Sequence, residues 1–168
     1  DLRALKKNRK AVSKYSEEVD DLRNDLFYFI KNLDEETIKG ASNFYINVLA
    51  YMQDIAESLQ YISKITYKHI NNNHTHLTFN QIRELQEIDS ELNNLYNEIQ
   101  FIFSNENLKE LNKVIDKKQE LYSSLKEKID IQIARTKKDE SSPKNTTLYF
   151  SILIESKDLV CLLYTSDA

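Results

Sequence analysis

FYINVLAYMQDIAESL, Phe44 to Leu59, has an echo later in the chain in LYFSILIESKDL, Leu148 to Leu159. Aligned, Tyr45 meets Tyr149, Ile46 meets Phe150, Val48 meets Ile152, Leu49 meets Leu153, Asp54 meets Asp158 and Ile55 meets Leu159. Each copy sets an aromatic, an apolar pair and then a lone Asp five residues on. An internal echo of this kind points to two related halves of one helical architecture.

Composition agrees with helices. One Gly and one Pro in 168 residues leave almost nothing for strand turns or phosphate-cradling loops, so an all-α fold is expected. The 40% apolar content can bury a real core, and the 30% charged content suits long helices with solvated faces. A net charge of -4 argues against nucleic acid as a partner, because phosphate contacts need a concentrated Lys/Arg surface. Charge is nevertheless segregated: Asp1 to Lys14 carries six basic residues against one acidic, and Tyr15 to Glu36 carries eight acidic against two basic. The longest apolar-rich stretch without charge, Ala41 to Gln53, is too short to span a bilayer. No signal peptide is expected, and a single Cys excludes an internal disulfide framework. The first residues read as mid-helix, so a longer parent protein is expected.

Outward from the echo, the apolar stripes define five helices. The first runs from Leu2 to about Leu33 with Val12, Tyr15, Val19, Leu22, Leu26 and Phe29, and would be roughly 48 Å long at 1.5 Å per residue. Asp34-Glu35-Glu36 supplies a polar corner. The second, about Glu36 to Ile70, carries Ile38, Ala41, Tyr45, Val48, Met52 and Ile55 on its stripe, and its apolar breadth predicts the most buried helix. Asn71-Asn72-Asn73 ends it, and Thr78 with Gln81 forms a capping box for the third helix. Ser104-Asn105 breaks the third helix and can cap the fourth, about Asn107 to Lys138, which carries Leu108, Leu111, Ile115 and Leu121. Glu140-Ser141-Ser142-Pro143 reads as a hinge before a fifth helix from about Asn145 to at least Val160.

Blocks at Lys6 to Glu36, Tyr67 to His74 and Gln132 to Leu159 make the chain similar to the PhoU family, and above all to the PhoU-like cytoplasmic domain of bacterial sodium/phosphate cotransporters. The resemblance implies an antiparallel bundle of two three-helix units. Residues 1–75 would be the last two helices of the first unit, whose own first helix is missing. Residues 76–160 would be the second unit, truncated at its end. It also implies a non-catalytic domain at the cytoplasmic side of the bacterial inner membrane that modulates phosphate uptake. Its partners would be the transporter portion of the same polypeptide, regulatory proteins or a second copy. Family members bind metal through an acidic-x-x-x-Asp motif, so the resemblance makes Asp54, Glu155 and Asp158 the candidate ligands of a divalent metal. Here the first copy has Ala50 where the acid would stand, and in the second Glu155 lies three residues before Asp158 instead of four. Either a metal-responsive regulator or a purely structural interaction module is the alternative, and no other cofactor is expected.

The remaining features read as ordinary helical-bundle chemistry. His69, His74 and His76 fall in an Asn-rich link expected to be a solvated loop. Glu17, Glu18, Asp20 and Asp21 are expected to pair with Lys or Arg of a neighbouring helix. The chain offers no HExxH, no glycine-rich phosphate loop and no strand-turn-helix nucleophile, so no enzyme is expected. CLLYTSDA, Cys161 to Ala168, departs from the stripe and resembles translated sequencing adapter, a non-native tail.

Overall fold

A computed structural model describes residues 1–32, 35–105, 108–138 and 140–162. Every regular element among them is helical: α1 (Leu2–Lys31), α2 (Glu35–Asn71), α3 (Phe79–Ser104), a 3-10 turn (Leu108–Glu110), α4 (Leu111–Lys137) and α5 (Pro143–Leu162). The corner at Asp34, the stripe side chains of Leu33, Ile38, Ala41, Leu108 and Leu111, and the tail from Leu163 lie outside what is described. The chain forms two compact units, residues 1–71 and 72–168.

In the first unit α1 and α2 run antiparallel, because the Arg9 guanidinium near the start of α1 lies 4.6 Å from the ring of Tyr67 near the end of α2. Asp1 caps α1, its carboxylate accepting from the Arg3 N–H at 2.9 Å, and Asn32 closes the other end by donating its side-chain N–H to the Tyr28 carbonyl at 2.7 Å. Asn73, just past α2, takes φ 53°, the left-handed conformation that Asn tolerates better than most residues.

The second unit is an up-down-up bundle of α3, α4 and α5. Its core steps along each helix by four or seven residues: Ile88, Leu95 and Ile102 on α3, Val114, Leu121 and Leu125 on α4, with Tyr149, Leu153 and Val160 on α5. Full burial of each such side chain contributes about 1.5–3 kcal/mol. The capping box at the start of α3 closes reciprocally, with Thr78 N–H donating to Gln81 Oε1 at 3.0 Å and Gln81 N–H to Thr78 Oγ1 at 3.3 Å.

Four expectations are corrected. Among the described residues the most buried helix is α5, with seven buried residues, and not α2, where Tyr45, Ile46 and Val48 are exposed. Within its unit α2 has only α1 to pack against, whereas α5 closes a three-helix core. Asn105 does not cap α4; its side-chain N–H donates back to the Phe101 carbonyl at 2.8 Å and finishes α3. The hinge is tighter than expected, since α5 starts at Pro143, whose missing N–H costs nothing in the first turn. Ser142 caps it, accepting from the Asn145 N–H at 3.2 Å. Finally, the acidic run of α1 pairs within its own helix: Lys14 with Glu18 at 3.3 Å and Arg23 with Asp20 at 3.1 Å.

Candidate functional site

At the end of the second unit where α3 begins, α4 ends and α5 begins, the core stripes continue in polar residues. Gln81 sits one heptad before Ile88, and Gln132 one heptad after Leu125; both are fully buried. An amide in a core costs free energy unless it finds a partner. Gln81 Nε2 donates to Gln132 Oε1 at 3.1 Å and is 3.2 Å from Ser141 Oγ, while Gln132 Nε2 reaches Thr146 Oγ1 at 3.5 Å. The amides thus tie all three helices together at the level where the apolar core stops.

One turn further along α3, Glu84 faces Arg135. The guanidinium donates two parallel bonds, Nη1 to Oε2 at 2.8 Å and Nη2 to Oε1 at 2.6 Å, and the Tyr149 hydroxyl donates to the same carboxylate. Both charged side chains are largely buried, at 15% and 17% exposure, so the pair works in a medium that screens it less than water does. Burial alone would raise the pKa of Glu84. The bonds from Arg135 and Tyr149, with the charges of Arg135 and Lys128, outweigh it and hold the carboxyl below its ordinary range. Burial and the neighbouring Glu84 carboxylate push the Tyr149 phenol up. The Glu84 bond holds the Arg135 guanidinium charged more firmly still.

A second cluster binds the interunit link to α5. Asn145, buried on the first turn of α5, donates to the His76 carbonyl at 2.7 Å, and Thr75 Oγ1 lies 3.3 Å from Ser142 Oγ. The His-rich stretch is therefore not a solvated loop throughout: His69 is buried on the last turns of α2, and the backbone at His76 is anchored to α5. Among the described residues, no buried side-chain nitrogen or oxygen lacks a hydrogen-bond partner.

Outside this cluster, α3 and α4 leave a shallow furrow of about 240 Å³ lined by Arg83, Glu84, Glu87, Glu127 and Lys128. Glu87 is engaged there by Arg83 at 3.1 Å and by Lys128 at 3.3 Å. The furrow is open and carries both signs of charge.

Of the residues implied by resemblance, Asp54 is exposed on α2 in the first unit. Glu155 is half-buried and Asp158 exposed, one turn apart on α5 in the second. Among the described residues, no three His, Cys, Asp or Glu gather in a way that could hold a metal ion. The echo matches helix to helix but not burial to burial, since Tyr149 is fully buried and its counterpart Tyr45 is 45% exposed.

Sequence reasoning missed Glu84, Gln132 and Arg135, and took Gln81 only for a cap. A signal was available: Gln81 and Gln132 stand at stripe positions, where a polar residue must have a partner. Comparison with protein-family models, with curated proteins and with solved structures finds no match to this chain.

Proposed function

We propose that this chain is a non-catalytic, PhoU-like regulatory domain of a bacterial sodium-dependent phosphate cotransporter, held at the cytoplasmic side of the inner membrane. It modulates phosphate uptake through helix-face contacts with the carrier portion of its own polypeptide or with a regulatory protein. The identity of that partner rests on the resemblance of Lys6 to Glu36, Tyr67 to His74 and Gln132 to Leu159.

One observation carries the mode of action. Three largely buried ionisable groups of the second unit, Glu84, Arg135 and Tyr149, direct their hydrogen bonds at one another, an arrangement that fixes helix positions. A general base instead needs a lone pair aimed at a substrate position. What the molecule offers a partner is the outward surface of long helices, including exposed Phe27, Tyr28 and Phe29 on α1. Such apolar side chains are common at recognition surfaces.

Recovering the parent reading frame tests the assignment. A run of apolar, bilayer-length helices encoded before Asp1 is the expected result. A short polar start joined directly to Asp1 would overturn the carrier assignment and leave a free-standing helical module.

A further inference from the structure

The outward face of α1, opposite the stripe that packs on α2, carries an ordered charge pattern. Alternating steps of four and three residues place Arg3, Lys7, Lys10 and Lys14 in one row, and the same row continues through Glu17, Asp21, Asn24 and Tyr28. All eight are exposed. The row is basic in its first half and acidic or neutral in its second.

Reversed against itself, this row is self-complementary. With the two-fold axis between Tyr15 and Ser16, Lys10 falls opposite Asp21, Lys14 opposite Glu17, and Arg3 opposite the ring of Tyr28, each twice by symmetry. On the flank of the same face, Lys6 falls opposite Asp25. We infer that α1 pairs antiparallel with α1 of a second copy of this chain, through this reciprocal set of ion pairs and the Arg3–Tyr28 contact.

Two further observations favour a second copy as the occupant. Lys6, Lys10, Asp21 and Asp25 make no ion pair among the described residues, although Lys14 and Asp20 on the same helix do. They are available to a partner. In addition, an isologous interface needs residue i to meet j while j meets i, and the pairings above satisfy that on one face in one register. A shift by one residue rotates the opposed side chains off the face, and a parallel arrangement would set basic half against basic half, so the charges select the antiparallel direction. The interface is polar and solvent-accessible, hence weak and salt-sensitive. This pairing does not depend on the phosphate-carrier assignment.

Charge reversal tests it on the whole chain. Sedimentation equilibrium at low ionic strength is expected to show a monomer–dimer equilibrium that moves to monomer as salt is raised. K6E/K10E and D21K/D25K should each weaken dimerisation on the order of a hundredfold, because each puts like charges opposite one another. Mixing those two variants should restore a heterodimer, and the fourfold swap K6E/K10E/D21K/D25K should restore a homodimer. Unchanged circular dichroism would establish that these exposed substitutions leave the helices formed. A chain that stays monomeric at every salt concentration overturns the inference. So does a dimer that either variant leaves intact, or one that the fourfold swap fails to recover.

Discussion

Arg135 grips Glu84 by two parallel bonds of 2.8 and 2.6 Å between helices whose contacting residues lie 51 positions apart in the chain. The carboxylate also takes the Tyr149 hydroxyl, so one acidic side chain joins α3, α4 and α5. Removing the acid leaves a guanidinium and a phenol largely buried with nothing to accept from them. Glu84→Ala is expected to cost about 2–3 kcal/mol in denaturant unfolding followed by circular dichroism. Arg135→Ala should cost a similar amount, and the double variant clearly less than the sum. Additive costs would mean that the two side chains do not act as a unit.

Stability should depend on pH through the same group. The folded pKa of Glu84 lies below its ordinary 4.5, so its contribution is complete above about that pH and is lost as pH falls through the lower folded value. Tyr149 works in the opposite sense: its folded pKa lies above 10.0, so its contribution is complete below that pH and is lost as pH rises through the higher folded value. Glu84→Gln should flatten the acid limb of a stability profile, and Tyr149→Phe the alkaline limb. A variant whose limbs match the wild type would show that the group titrates alike folded and unfolded.

The stripes that identified the helices show why this cluster was hard to see in the sequence. Ile88, Leu95 and Ile102 announce themselves by spacing and apolarity, and Thr78 with Gln81 announces a helix start by residue type alone. Glu84 and Arg135 have the composition of the solvated outer face, and only the convergence of α3 with α4 sets them against each other. The echo likewise compares side chains, not neighbours. It pairs Tyr45 with Tyr149, but α5 closes a three-helix core and α2 packs in its unit on α1 alone.

Matched truncations in the two halves of the echo should therefore differ in cost. Leu153, fully buried, is expected to lose about 3 kcal/mol on change to Ala, while Leu49, only half-buried, should lose about 1 kcal/mol. Equal losses in thermal or chemical unfolding would mean that Leu49 is as tightly enclosed as its counterpart.

Asn145 holds the link before α3 through its 2.7 Å bond to the His76 carbonyl. Asn145→Ala should cost about 1–2 kcal/mol, since that carbonyl loses its side-chain donor. Limited proteolysis should then cut faster between His74 and Leu77 than in the wild type. Cleavage at the wild-type rate would show that the link is held without Asn145.

The most direct measurement is sodium-driven uptake of labelled phosphate into membrane vesicles carrying the full-length parent protein, compared with the same protein lacking residues 1–162. The account predicts sodium-dependent phosphate uptake by both, with a changed rate or changed response to phosphate once the domain is removed. Absence of sodium-dependent phosphate uptake by the intact parent, or uptake indifferent to the deletion, would contradict it.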